Sequence, residues 1–295
     1  MFEKAIEKTS EFTRPLHSIS RTYGGLVLPG TSTFFFVNDD GVAVTCKHVI
    51  NLIPTADAVN QTFAKFKEER DRLPKDGKFR QHLKGLELKY KYVTETTVQL
   101  KNNFVNCFDK LEQITYHIHP TLDLAIVEFK GFTKKFYTSH ASFIKDSSKI
   151  KQGNYLCRIG FPFPEFNNFK HDVSRDDIEW TNEGNAASPS FPIDGIVTRF
   201  LADESRKITG IELSTPGLKG QSGGPLFDVN GTVYGMQYAT NHLHLGFDIK
   251  DREIINDGKK TTVSNFPFLN VGLCIHVDQI KEFLKQHNIV FTETD

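Results

Sequence analysis

The sequence predicts an all-β protein with minor helices, and three observations carry that expectation. Apolar runs rich in β-branched and aromatic residues recur between turn-like clusters, as in Gly41-Val42-Ala43-Val44-Thr45-Cys46-Lys47, Leu124-Ala125-Ile126-Val127-Glu128-Phe129 and Tyr155-Leu156-Cys157-Arg158-Ile159-Gly160. Helical spacing of apolar side chains is confined to a short N-terminal stretch, one charged segment and the C-terminal end. The densest glycine turn, Gly220-Gln221-Ser222-Gly223-Gly224-Pro225-Leu226, lies between strand-like runs.

In chain order, residues 1–14 read as a short amphipathic helix or arm limited by Pro15. Strands are expected to dominate residues 24–50. Ala58, Phe63, Ala64, Phe66, Arg70 and Leu73, set among Lys and Glu, predict a charged helix over 56–73, closed by the turn Pro74-Lys75-Asp76-Gly77. Strand-like stretches follow at 90–108 and 114–119, and a polar stretch at 131–149 links to a second half that begins near Gly153. Residues 164–190 read as a long surface excursion anchored by Trp180, and 240–265 as a second one. Between them strands are expected at 195–201, 207–213 and 232–239. Val277, Ile280, Phe283 and Leu284 predict a final amphipathic helix over 277–287.

With 295 residues, 38% of them hydrophobic, the chain can bury a substantial core. Thirty-six basic and 36 acidic residues give zero formal net charge, so nothing draws the whole chain to nucleic acid or an anionic membrane. The basic cluster in the charged segment is interrupted by Glu68, Glu69, Asp71, Asp76 and Glu87, and reads as a solvated face before a docking surface. Cys46, Cys107, Cys157 and Cys274 show neither C-x-x-C nor zinc spacing, so buried free thiols and no metal or cofactor are expected. The first residues alternate charge with apolar side chains and form no signal-peptide core, and nowhere do about 18 apolar residues run together. A cytoplasmic location is the expectation.

The glycine turn carries the chemistry. Gly-x-Ser-Gly-Gly-Pro is expected by chance about 0.0004 times in a chain this long. Gly220 can take backbone angles closed to other residues, so the amides of Gly220 and Ser222 could converge on one point beside the hydroxyl, as an oxyanion hole requires. A glycine-rich hairpin with a bystander serine is the alternative. Ser222 needs a base and an orienting carboxylate to react. His48, where the 41–47 strand ends, and Asp123, which opens the 124–129 strand between leucines, are the candidates. Each alone also reads structurally, as a half-buried strand-end histidine and as a turn aspartate held by backbone amides.

In the order His48, Asp123, Ser222, the chain resembles the trypsin/chymotrypsin-like serine peptidase superfamily, most strongly its bacterial HtrA-like branch. The residues that carry the resemblance are Gly30-Thr31-Ser32-Thr33-Phe34-Phe35-Phe36-Val37, Thr45-Cys46-Lys47-His48-Val49-Ile50, Asp123-Leu124-Ala125, Gly160-Phe161-Pro162-Phe163, the serine turn, and Val271-Gly272-Leu273-Cys274-Ile275-His276-Val277. The resemblance implies a double six-stranded β-barrel of chymotrypsin type with the site between the barrels. It divides the chain into an N-terminal arm or helix at 1–20, a first barrel at 21–140 with a helical insertion at about 55–90, and a second barrel plus C-terminal helix at 141–295. It implies His48 as general base, Asp123 as its orienter, Ser222 as nucleophile, and Gly220, Ser222 and Gln221 amides as oxyanion donors.

Gln221 stands where digestive relatives carry the aspartate of the zymogen switch, and Val49 where many secreted relatives have a cysteine. The chain ends soon after its last helix, so the PDZ domain that commonly follows HtrA peptidase domains is expected to be absent. Pocket walls are implied at Pro216, Gly217, Leu218, Gln237, Tyr238, Ala239 and Gly272. Pro216 occupies the position that selects basic residues in trypsin, so an uncharged, medium-sized side chain is expected, unless His242, His244 or His276 enters the pocket and favours an acidic one. The expected partners are a polypeptide substrate and, unless narrow specificity restrains the enzyme instead, a regulatory protein that orders the two excursions. The alternative from another class is a catalytically silent module that captures extended peptides by strand addition.

Overall fold

The computed structural model describes residues 1–256, 258–266 and 268–295. Its strands are β1 Thr13–Thr22, β2 Val27–Phe36, β3 Val42–Thr45, β4 Thr97–Phe104, β5 Gln113–Ile118, β6 Ala125–Lys130, β7 Ser142–Ile144, β8 Tyr155–Gly160, β9 Phe169–Asp172 and β10 Asp177–Trp180. They continue with β11 Phe191–Ala202, β12 Ile208–Leu213, β13 Pro225–Phe227, β14 Val233–His244, β15 Ile249–Asn256, β16 Lys259–Asn265, β17 Phe268–His276 and β18 Thr292–Thr294. The helices are α1 Glu3–Ser10, α2 Lys47–Ile50, α3 Leu52–Asp71, α4 Phe79–Tyr90 and α5 Val277–Gln286.

The first six strands form one antiparallel ladder in the order β4-β1-β2-β3-β6-β5. The second set runs β13-β8-β11-β12-β17-β14, and the β13–β14 pairing closes it into a six-stranded barrel, with β7 and β18 added beside β14. The architecture is the mostly-β, two-barrel arrangement of chymotrypsin type, its first half a ladder and its second a closed ring.

The run Thr33-Phe34-Phe35-Phe36 shows why the halves join. Alternate side chains of a strand face opposite ways. Phe34 and Phe36 enter an aromatic cluster with Phe104, Phe108, Phe129 and Tyr137, Phe36 lying stacked 3.7 Å from Tyr137, while Phe35 turns to Phe143 of β7. One continuous core therefore spans both halves, and the buried stripe Val277, Ile280, Phe283 and Leu284 packs α5 against it.

Several elements differ from the sequence reading. The N-terminal helix stops at Ser10, and β1 lies inside the first ladder from Thr13, so the segment at 1–20 is half strand. Pro15 is tolerated because the β1–β4 pairing begins one residue later, at Leu16 opposite Phe104. The insertion carries a second helix, α4, where Leu83, Leu86 and Tyr90 supply its buried side. Residues 164–190 fold into the β9–β10 hairpin, with Trp180 packed on Phe166 and Phe169. In the stretch 240–265 β14 continues to His244 and a further hairpin, β15–β16, follows; residue 257 lies outside the described residues. All four cysteines are free and buried.

Candidate active site

Register brings His48 and Asp123 together. Thr45, the last residue of β3, lies opposite Ala125, the first of β6, so the segment after one strand and the segment before the other emerge at the same edge. The chain turns there into α2, which carries His48 in its single turn. Asp123 grips this residue twice: Oδ1 accepts the His48 backbone N–H at 2.9 Å, and Oδ2 lies 2.6 Å from Nδ1. The ring is 52% exposed and the carboxylate 28%, so the imidazole is held from behind and open in front. Partial burial raises the Asp123 pKa, but hydrogen bonds from the His48 ring and the His48 and Lys47 amides outweigh it and hold the carboxyl below its ordinary range.

Cys46 forms the wall behind this pair. Its Sγ and one ligand atom each of His48 and Asp123 lie within 4.8 Å of one another, a spacing a metal could span. Burial, followed by the charge of Asp123, pushes the thiol pKa well up, and Sγ donates to Gln237 O at 3.4 Å. With its proton retained, the buried Cys46 thiol packs as a neutral group behind the pair.

The serine turn sits between β12 and β13 and is clamped from both halves. Thr33 N donates to Ser222 O at 3.0 Å, Thr33 Oγ1 to Gly220 O at 2.7 Å, and Gly223 N to Gln237 O at 2.8 Å. Gly223 has φ +89° and lies so close to β2 and β3 that a Cβ would stand 2.0 Å from Thr33 O and 2.3 Å from Thr45 Oγ1. Gly220 has φ +96°. Among the described residues the amides of Gly220 and Ser222 donate to no protein acceptor, which leaves both donors unspent on either side of Gln221.

The Gln221 amide does not join them. It donates to Leu218 O at 3.0 Å, and the fully buried side chain accepts from Leu218 N at 2.9 Å and donates to Phe191 O at 2.8 Å. Gln221 is therefore a staple of the turn rather than an oxyanion donor. Ser222 Oγ donates to Tyr238 O at 3.5 Å, and no hydrogen bond joins it to His48.

A cavity of about 440 Å³ opens beside Ser222, lined by Pro216, Gly217, Leu218, Lys219, Gln237, Ala239, Thr240, His242 and Asn270. Two residues expected on its wall lie elsewhere. Tyr238 is bulged out of the β14–β17 ladder, and Gly272 lies behind the cavity, where a Cβ would meet Arg158 Nη1 at 2.0 Å. Of the three histidines, only His242 lines the cavity; His244 pairs with Asp248, and His276 is buried and caps α5 by accepting from Asp278 N at 3.2 Å.

Sequence reasoning missed Arg158, which is fully buried behind the same cavity. Its signal was a lone cation in an otherwise apolar strand, Tyr155-Leu156-Cys157-Arg158-Ile159-Gly160.

A family model described as a trypsin-like peptidase domain matches residues 31–236. The chain belongs to the trypsin-like peptidase family. No protein of curated function matches it. The matched segment of this trypsin-like chain contains His48, Asp123 and Ser222 and leaves outside α1, β1, the β15–β16 hairpin and α5. Among the described residues no helix is long and apolar enough to cross a membrane.

Proposed function

We propose that the chain is a serine endopeptidase, of the HtrA-like branch, that hydrolyses peptide bonds through an acyl-enzyme. The observation that carries this reading is the double grip of Asp123 on His48. A carboxylate at Nδ1 keeps the proton on that nitrogen, so Nε2 is the basic one. On this reading Ser222 Oγ leaves Tyr238 O when substrate binds, transfers its proton to Nε2 and attacks the scissile carbonyl. The Gly220 and Ser222 amides receive the oxygen as it becomes negative. His48 then returns the proton to the departing amine, and water repeats the sequence to free the acid. An extended substrate adds beside the bulge at Tyr238.

A second reading is a silent peptide-capturing module, favoured by the serine hydroxyl bonding to Tyr238 O rather than to His48. A fluorophosphonate probe separates the two. Labelling of the wild type but not of Ser222→Ala supports the peptidase; no labelling of either under any condition favours the module.

On the peptidase reading the enzyme works in the cytoplasm and a protein partner restrains it through the β9–β10 and β15–β16 hairpins. Constitutive cleavage of unfolded casein by the pure monomer argues against restraint.

A further inference from the structure

Arg158, in the middle of β8, is a buried cation surrounded by neutral acceptors. Nη2 donates to Thr215 O at 2.7 Å, Thr215 Oγ1 at 2.9 Å and Pro216 O at 2.7 Å; Nη1 donates to Gln237 Oε1 at 2.9 Å; Nε finds no acceptor. Among the described residues no carboxylate pairs with it. Asp194, on the neighbouring strand, is exposed and accepts from the Tyr155 hydroxyl instead. A buried charge without a counter-ion is among the costliest arrangements a protein keeps.

Its acceptors are the walls of the cavity beside Ser222: Pro216 and Gln237 line that cavity directly. Because a guanidinium only donates, it fixes Gln237 with the amide oxygen inward. Nε2 of Gln237 then points toward Gly217 and Ala239, both on the cavity wall, and donates to Ala239 O at 2.6 Å. The same wall carries Lys219 and His242, and among the described residues no aspartate or glutamate lines it. The pocket thus presents donors and positive charge, with an unbalanced cation behind its floor.

We propose that this cavity receives the substrate side chain on the acyl side of the scissile bond and selects a carboxylate, aspartate or glutamate. Gln237 Nε2 makes the contact; Arg158 is a positioning residue that orients Gln237 and gains its counter-ion when substrate enters. The inference deepens the peptidase reading and rests on it for turnover, but ligand binding tests it separately.

The experiment measures binding of peptides that differ only at that side chain, Glu, Gln, Leu or Lys, to the Ser222→Ala chain by fluorescence anisotropy. The Glu peptide is expected to bind about tenfold or more tighter than its uncharged isostere Gln and tighter than Leu or Lys. Equal binding of Glu and Gln, or tighter binding of Leu or Lys, overturns the proposal. Gln237→Glu, made in the same background, gives Arg158 a permanent counter-ion, so the fold is supported while the Glu-over-Gln preference is lost or reversed. A Gln237→Glu chain that keeps the full preference also overturns it. Fluorophosphonate labelling of the wild type reports on catalysis alone: an unlabelled chain that still prefers the Glu peptide sinks the peptidase reading and leaves the carboxylate pocket standing.

Discussion

Two buried arginines divide the molecule. Arg21, on β1, is 4% exposed and fully compensated: Nη2 lies 2.8 Å from Asp176 Oδ1, and Nε donates to Gln99 Oε1 at 2.6 Å. Asp176 also accepts from Arg70 of the inserted α3 at 2.8 Å, and the neighbouring Asp177 accepts from Lys101 at 2.9 Å. This network ties the insertion and β4 to the turn of the β9–β10 hairpin, so a segment of the second half is clamped onto the first. Arg158 is just as buried, but among the described residues its hydrogen-bond acceptors are carbonyl, hydroxyl and amide oxygens, with the Cys274 thiol beside it and no paired carboxylate. Arg21 carries its own counter-ion within the scaffold, whereas Arg158, on the proposal above, gains one only with substrate. The clamp should therefore govern stability and the cleft turnover, each with little effect on the other.

The largest effect expected is on the cleft side. On the peptidase reading Ser222→Ala should lower turnover by about 10⁶-fold, because a nucleophile, its base and its orienter act as a unit. Its thermal midpoint should stay at the wild-type value; a shift of many degrees would show that the serine turn is scaffold as well. Next, Asp123→Asn should cost about 10⁴-fold in turnover by removing the hold on the Nδ1 tautomer. Recovery of the rate with a retained fold, read by steady-state kinetics and circular dichroism, would deny Asp123 that role.

On the clamp side, Asp176→Asn leaves Arg21 buried without its carboxylate. A loss of about 3 kcal/mol in urea unfolding is expected, with fluorophosphonate labelling unchanged. Burial alone would raise the Asp176 pKa, but Arg70 and Arg21 hold it below its ordinary 3.8. Its stabilisation is complete above that value and is lost as pH falls through the depressed one. The Asn variant should therefore lose stability less steeply in acid.

The smallest effect concerns His17, which is stacked 3.9 Å from Phe166 and lies 2.9 Å from Ser188 Oγ, so that it joins β1 to the hairpin segment. Burial pushes its pKa from 6.5 down to about 4. The unfolded chain takes up the proton first, so stability is complete above pH 6.5 and falls by about 1.4 kcal/mol per pH unit toward pH 4. His17→Phe should flatten that slope in urea titrations at pH 7, 6 and 5. An unchanged slope would remove His17 from the clamp.

Local physics was readable wherever a segment answers to its own side chains. The apolar runs at 42–45, 125–129 and 155–160 became strands, and the stripe Val277, Ile280, Phe283 and Leu284 became a helix, because alternation and helical spacing are set by which faces must leave water. Gly220 marked backbone that turns through positive φ, whereas the positive φ of Gly223 was not foreseen. Less legible was β1, where Pro15 suggested a boundary; the strand persists because its neighbour's pairing starts at Leu16. The helix α4 escaped notice because its apolar positions are few and become a face only against Phe63, Phe66 and Val98. Gln221 read as a third amide donor, and only the fold shows that amide spent on Leu218.

The order of residue types along the chain by itself determined a β-rich fold, the placement of α1, α3 and α5 and a serine held in a tight glycine turn, since each depends on interactions within a few residues. Tertiary structure alone decided that Thr45 faces Ala125 and so seats His48 against Asp123, that the hydroxyl of Ser222 bonds to Tyr238, and that Arg158 lies behind the cavity without an acid. Those outcomes are set by strand register and by which buried charges find partners, and both join residues tens of positions apart whose meeting no local pattern encodes.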